Sequence, residues 1–325
     1  MLWGLGLVSF VVALLVARLL LSRFGHVALD QPNQRSLHER AVPRTGGLAV
    51  LAGIAVSTAS FAAGLWLPLA LAAALAAISL VDDLRGMPTA VRLAAHLAAA
   101  AFLAWYVLSP MHPVELLLIV LAIGWITNLY NFMDGSDGLA GGMAVIGFAA
   151  YAIAAALAGR MPLAASSLAV AAAALGFLAY NFHPARIFLG DVGSIPLGFL
   201  AAALGVVGWR DDVWPLWFPV LVFGPFIGDA TLTLLKRLAR RERVWHAHRD
   251  HYYQRMVRMG IGHRGTAVAG YAVMLLCAAV ALFARNLAPA VQWTAFGCAS
   301  AVLACMALWV DLRWRRFAGG KGGTA

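Results

Sequence analysis

Charge is scarce in this chain. Of its 325 residues only 12% are charged, and just 14 are acidic. That share, beside 62% hydrophobic residues, lies outside the range of soluble globular domains. Cysteine is nearly absent. Cys277, Cys298 and Cys305 all fall in apolar runs, form no ligand spacing and say nothing about redox compartment, so they read as core thiols. Internal repeats, linkers and low-complexity segments that would divide the chain are also missing, apart from a small "AGGKGGTA" tail expected to be disordered. One domain is therefore expected, and it is not a soluble one.

Long hydrophobic runs are what the sequence has in abundance. Crossing about 30 Å of hydrocarbon takes roughly 20 apolar residues in a helix. Eleven stretches qualify: about 2–22, 46–63, 65–81, 93–110, 115–133, 139–159, 161–182, 194–210, 214–235, 265–284 and 288–310. The first is followed by a motif-bearing loop rather than a small-residue cleavage site, so it reads as a helix and not a removed signal peptide. The expected fold is all-α, a polytopic membrane protein. A single helical domain spans 1–312, and a basic cytoplasmic tail follows at 313–325.

The net charge of +10 would point to nucleic acid in a soluble protein, but its placement points elsewhere. If odd-numbered spans end in the cytoplasm, the inner side holds 20 of the 24 basic residues. They include Arg23, Arg35, Arg40, Arg44, Arg85, Arg92, Arg186, a cluster from Lys236 to Arg264, and the tail. The excess of inner Lys and Arg sets the N-terminus outside and the C-terminus inside. The basic residues then face anionic headgroups and an anionic substrate, and no nucleic-acid partner is expected.

Outer loops such as "AGRMP" and "ARNLAP" are short and plain. The five inner loops, about 23–45, 82–92, 131–142, 181–194 and 236–264, carry nearly all the unusual side chains. Separate in sequence, they share one face by parity. Asp82 and Asp83 are adjacent, and two neighbouring carboxylates repel unless a cation sits near. A solvated helix end is the plain alternative, but Arg85 follows and further acids face the pair. Asn131, Asp134 and Asp137 in "NFMDGSDGLAGG" follow an i, i+3, i+6 spacing that keeps them on one side of a helix end. Gly135 and Gly138 would end that helix and expose N–H groups suited to phosphate. Asp191 in "LGDVGS" lies between glycines that let backbone approach a ligand, although a mere turn also explains Gly–Asp.

Carboxylates on one membrane face among arginines and histidines point to a hard cation holding a polyanion. Mg²⁺ takes oxygen ligands, typically one or two carboxylates with water and phosphate, and Mn²⁺ is the alternative. Arginines and the "HAHRDH" stretch can neutralise phosphate oxygens. Zinc at His248 and His251 is disfavoured, because no cysteine or third histidine lies at a ligand spacing. His96, mid-span, reads as a satisfied core group. An ion-coupled transporter is the rival from another class, yet transporters keep such acids near the midplane rather than at helix ends. A non-catalytic membrane scaffold is the third reading.

The segments "RSLHERAVPRTGG", "VDDLRG", "NLYNFMDGSDGLAGG", "IFLGDVGS" and "HRDHYYQR", in that order, resemble the polyprenyl-phosphate N-acetylhexosamine-1-phosphate transferases, the superfamily of the MraY- and WecA-like membrane enzymes. That resemblance implies transfer of a sugar-1-phosphate from a UDP-N-acetylhexosamine to undecaprenyl phosphate. The products are the lipid-diphosphate sugar and UMP. The reaction is Mg²⁺-dependent and lies on the inner face of the bacterial cytoplasmic membrane. It implies Asp191, with Asn131 beside it, as the metal site, and Asp82 and Asp83 as the catalytic pair, one of them the base. Asp134 belongs to the same substrate-binding motif. Gly135, Asp137, Asn181 and Phe188 fall where relatives hold the uridine. Arg44, His248, Arg249 and His251 are expected to grip the diphosphate or the acceptor phosphate. The histidine-rich signature of the MraY branch is absent, which argues against phospho-MurNAc-pentapeptide transfer and for surface glycans such as O-antigen, from UDP-GlcNAc or a 6-deoxy-HexNAc derivative. A second copy of the chain, as a homodimer, is an admissible partner.

Overall fold

The computed structural model describes residues 2–26, 28–31, 37–38, 41–58, 65–243 and 248–321. Arg35 and Arg40, counted above among the inner basic residues, and His246 of the "HAHRDH" stretch lie outside the described residues. α1 (Leu2–Phe24) leads to a two-stranded antiparallel ribbon, Leu29–Asp30 with Val42–Pro43. There follow α2 (Gly46–Thr58), α3 (Trp66–Arg85), α4 (Thr89–Leu108), α5 (Pro113–Phe132), α6 (Leu139–Leu157), α7 (Met161–Asn181) and α8 (Asp191–Arg210). The rest comprises α9 (Trp217–Val222), α10 (Gly224–Ala239), α11 (Tyr252–Met256), a π-helical turn (Val257–Ile261), α12 (Gly262–Ala284) and α13 (Pro289–Lys321).

The all-helical expectation holds, with the small ribbon as the one strand pair among the described residues. Nine helices there are long and apolar enough to cross a membrane, against eleven predicted runs. Two runs account for the difference. The run at 46–63 is helical over Gly46–Thr58, and 59–64 lie outside the described residues. Thirteen residues rise only about 20 Å, short of the hydrocarbon thickness. The run at 214–235 divides into α9 and α10 at Phe223, because Gly224 and Pro225 open a new helix. Proline lacks the N–H that a continuing helix needs, yet suits a first turn.

The C-terminal part also departs from expectation. α13 runs to Lys321, so the first four residues of the "AGGKGGTA" segment are helical, and 322–325 lie outside the described residues. Cys277 is buried as expected, but Cys298 and Cys305 are exposed on α13, an outer helix with few neighbours. His96 is buried as read, though its Nδ1 finds no hydrogen-bond partner.

α8 forms the axis of the bundle, buried along nearly its whole length and packed chiefly against α3 and α5. Within a membrane helices associate by close packing, which favours small residues at their contacts. At Gly198 an added Cβ would stand 2.7 Å from the Tyr130 Cβ and 2.9 Å from the Thr127 carbonyl oxygen, so α5 and α8 touch backbone to backbone. At Gly47 it would stand 2.3 Å from the Gly193 nitrogen, locking the start of α2 to the start of α8. Large apolar side chains such as Trp3, Leu117 and Phe283 remain exposed around the outside, as a lipid-facing surface requires.

Candidate active site

The ends of α3 and α5 and the beginnings of α4 and α8 meet at one end of the bundle. Asp82 and Asp83 close α3, where the negative end of the helix dipole opposes a carboxylate. Asp82 is held there by contacts to both of its carboxylate oxygens. Its Oδ1 accepts from the Met87 N–H at 2.6 Å, fixing the short turn into α4. That turn returns Arg92, whose Nη1 donates to the Asp82 Oδ2 at 2.8 Å and lies 3.5 Å from the Asp191 Oδ2. A single nitrogen thus stands between two carboxylates from different helices.

Asp191 is the first residue of α8, where the dipole favours negative charge. Its other oxygen accepts from the Asn131 Nδ2 at 2.8 Å, and the same amide reaches the Ser194 Oγ at 2.9 Å. Asn131 therefore orients Asp191. Arg44 follows the ribbon and lies 3.9 Å from both Asp83 and Asp30. Its carbonyl sits 2.5 Å from where a Gly190 Cβ would be, so only glycine allows the ribbon this close to Asp191. In the α5–α6 turn, burial first and the charge of Asp191 second raise the Asp134 carboxyl well above the usual carboxylate range.

Beside this cluster lies a second one. The Asp137 Oδ2 meets the His183 Nδ1 at 2.6 Å and accepts from the Ala185 N–H at 3.1 Å. His183 stacks on His263, with ring centroids 5.6 Å apart and planes 6° from parallel. Asn181 bridges the motif loop to the α7–α8 loop, accepting from the Gly138 N–H and donating to the Ile187 carbonyl. Phe188 joins the clusters, since its backbone pairs with Pro43 and Gly46 on either side of Arg44. Its ring meets the edge of His38 at 4.9 Å.

Loop five forms a third patch. His248 and His251 stack at 4.9 Å, and His251 bonds Asp229. Burial, with His251 and Arg237 next, lowers His248 to about 4. Among the described residues no hydrogen bond or ion pair joins His248, Arg249 or His251 to Asp82, Asp83 or Asp191. Contact runs instead through Tyr253, whose hydroxyl donates to the Phe132 carbonyl at 3.1 Å and fills the space a Gly135 side chain would need.

The oxygen-rich donor set around Asp82, Asp83 and Asp191 suits a hard cation. Among the described residues no three His, Cys, Asp or Glu side chains form a ready-made metal cage. Mg²⁺ is a cation whose shell water and substrate phosphates commonly complete. Sequence reasoning passed over Arg92, His183, His263 and Asp229 as site residues. Arg92 stood ten positions after Asp82 across a Gly–Met–Pro turn, a spacing that returns it to the same end.

Residues 65–209, from α3 through α8, match the family model described as glycosyl transferase family 4. A decaprenyl-phosphate N-acetylglucosaminephosphotransferase of Mycobacterium tuberculosis is 33% identical over 306 residues, 78% of this chain and 74% of the relative. The chain belongs to this family. It is one of the polyprenyl-phosphate N-acetylhexosamine-1-phosphate transferase superfamily. A probable undecaprenyl-phosphate N-acetylglucosaminyl 1-phosphate transferase of Bacillus subtilis is 29% identical over 82% of the chain and 81% of its own length. A phospho-N-acetylmuramoyl-pentapeptide-transferase of Staphylococcus carnosus is 26% identical over 64% of the chain and 76% of its own. The family match contains Asp82, Arg92, Asn131 and Asp191, and stops short of loops one and five.

Proposed function

We propose that the chain transfers an N-acetylhexosamine-1-phosphate from a UDP-sugar to undecaprenyl phosphate, at the cytoplasmic face of a bacterial inner membrane, to begin a surface glycan such as O-antigen. The observation that carries this reading is the convergence of Asp82, Arg92, Asn131 and Asp191 from four helix ends on one side of the bundle. Relatives named for N-acetylglucosamine transfer to polyprenyl phosphates support the donor and acceptor classes. A midplane transport path is not what these helix-end acids resemble.

The chemistry asks mainly for positioning and charge neutralisation. An oxygen of the lipid phosphate attacks the β-phosphorus of the UDP-sugar, and the bond from that phosphorus to the bridging oxygen breaks, releasing UMP. Asp82 or Asp83 takes the proton of the lipid phosphate or orients it, and Arg92 and Arg44 face the charge that gathers on the phosphates. A route through an aspartyl-phosphate is the variant of this step. Asp191, oriented by Asn131, would hold Mg²⁺ with Asp82 or Asp83, and the ion would neutralise diphosphate oxygens. Asp137, Asn181 and Phe188 are the groups to hold uridine, Phe188 by stacking.

Purified protein given undecaprenyl phosphate, Mg²⁺ and a panel of UDP-N-acetylhexosamines should release UMP with at least one donor. No UMP from any of them overturns the reading. A cysteine at Arg249 should react with an impermeant thiol reagent only from the cytoplasmic side, and labelling from outside inverts the topology.

A further inference from the structure

Loop five is held from two sides by carboxylates that the transfer chemistry leaves unused. The Asp229 side chain in α10, 8% exposed, accepts from the His251 Nδ1 at 3.1 Å and from the Tyr252 and Tyr253 N–H groups at 3.0 Å each. It caps α11, which at five residues cannot stand alone, and fixes one His251 tautomer.

The second hold comes from α13. Asp311 pairs with the Lys236 Nζ, accepts from the Arg255 Nη1 at 3.0 Å, and has the Tyr252 hydroxyl at 3.4 Å. Arg255 is buried and also lies over the rings of Tyr252, at 5.6 Å, and Trp314, at 5.8 Å. With 33 residues α13 is about 50 Å long, well beyond the hydrocarbon thickness of about 30 Å. Its surplus turns carry Asp311 and Trp314 alongside α11. On the opposite side of α11, Tyr253 bonds the Phe132 carbonyl and abuts Gly135, next to Asn131 and Asp134.

We propose that Asp311 is a positioning residue: α13 braces α11, so that His251 and Tyr253 stay seated against the Asn131–Asp137 turn during sugar-phosphate transfer. This rests on the transferase reading above. The brace acts through Lys236 and Arg255, which lose their shared anion when Asp311 is neutralised, and α11 then moves away from the motif turn.

Asp311→Asn, Asp311→Glu and Lys236→Met in the full chain, reconstituted in nanodiscs, test this by two readouts. One is UMP release; the other is the rate of trypsin cleavage after Arg243 and Arg249. For Asp311→Asn the expected results are a loss of about tenfold or more in kcat/KM, with cleavage about tenfold faster. Asp311→Glu should recover most of both, and Lys236→Met should follow Asp311→Asn in direction if that variant fails to fold. Unchanged cleavage in Asp311→Asn and Lys236→Met overturns the brace. Faster cleavage with normal turnover overturns positioning and leaves a purely structural contact. A wild-type chain that yields no UMP overturns the enzymatic reading and the positioning role together, while cleavage still reports whether Asp311 holds the loop.

Discussion

Asp191→Asn separates a role in chemistry from a role in the fold, because the two costs differ widely. The substitution preserves shape, and the asparagine Oδ1 can still accept from Asn131 Nδ2, a bond of 2.8 Å in the structure. What disappears is a negative charge at the start of α8, worth about 0.3–1 kcal/mol at a helix N-terminus. The Arg92 contact at 3.5 Å is lost as well, and a partly exposed pair of that kind contributes about 1 kcal/mol at most. Repulsion of Asp134 by Asp191 is relieved at the same time, offsetting part of this. The net change in stability should therefore stay within about 1 kcal/mol. If Asp191 holds the cation that would neutralise the diphosphate oxygens, its loss should cost about as much as removing one preorganised group that stabilises a developing anion, about 2.7–4 kcal/mol, or roughly 100- to 1000-fold in rate. Thermal unfolding in detergent and UMP release, measured on one preparation, give the two numbers. Added Mg²⁺ should not restore turnover. Turnover within about threefold of wild type, with folding intact, would remove Asp191 from the site.

Gly198→Ala should destabilise the bundle by about 1–3 kcal/mol, seen as a lower unfolding temperature, since the new methyl meets Tyr130 and the Thr127 carbonyl. Chelation with EDTA should abolish UMP release while the far-ultraviolet circular dichroism stays helical, and Mg²⁺ should restore activity. His248 is held near 4 in the fold against an ordinary 6.5, so the unfolded chain binds its proton more readily. Its contribution to stability is complete above about pH 6.5 and is lost as the pH falls toward about 4. Unfolding midpoints between pH 7 and pH 4 should show that slope, and His248→Gln should flatten it.

Much of this was legible in the sequence because membrane helices announce themselves by apolar length, and loop parity then assigns each loop to a face. That logic brought Asp82, Asn131 and Asp191 to one end without any knowledge of packing. It did not expose the break at Phe223, since an apolar run registers length and not the missing N–H of Pro225. Nor did it flag Asp229, a lone acid inside a greasy stretch, although an ionisable group there is costly enough to demand a partner. The partnership of Arg255 with Asp311 spans 56 positions and depends on how far α13 continues past the bilayer, which composition alone does not reveal. Cys298 and Cys305 misled for a related reason: hydrophobic surroundings in sequence do not distinguish protein interior from lipid.

The contact between Gly47 and Gly193 has a bearing on how inactivating mutations in this chain will be distributed. Neither residue carries a functional group, yet a single methyl at either one would wedge apart the segments bearing Arg44 and Asp191. A random screen for dead variants should thus recover chemically mute positions nearly as often as acids and arginines. Reading such a map as a catalogue of catalysts would mistake spacers for reagents.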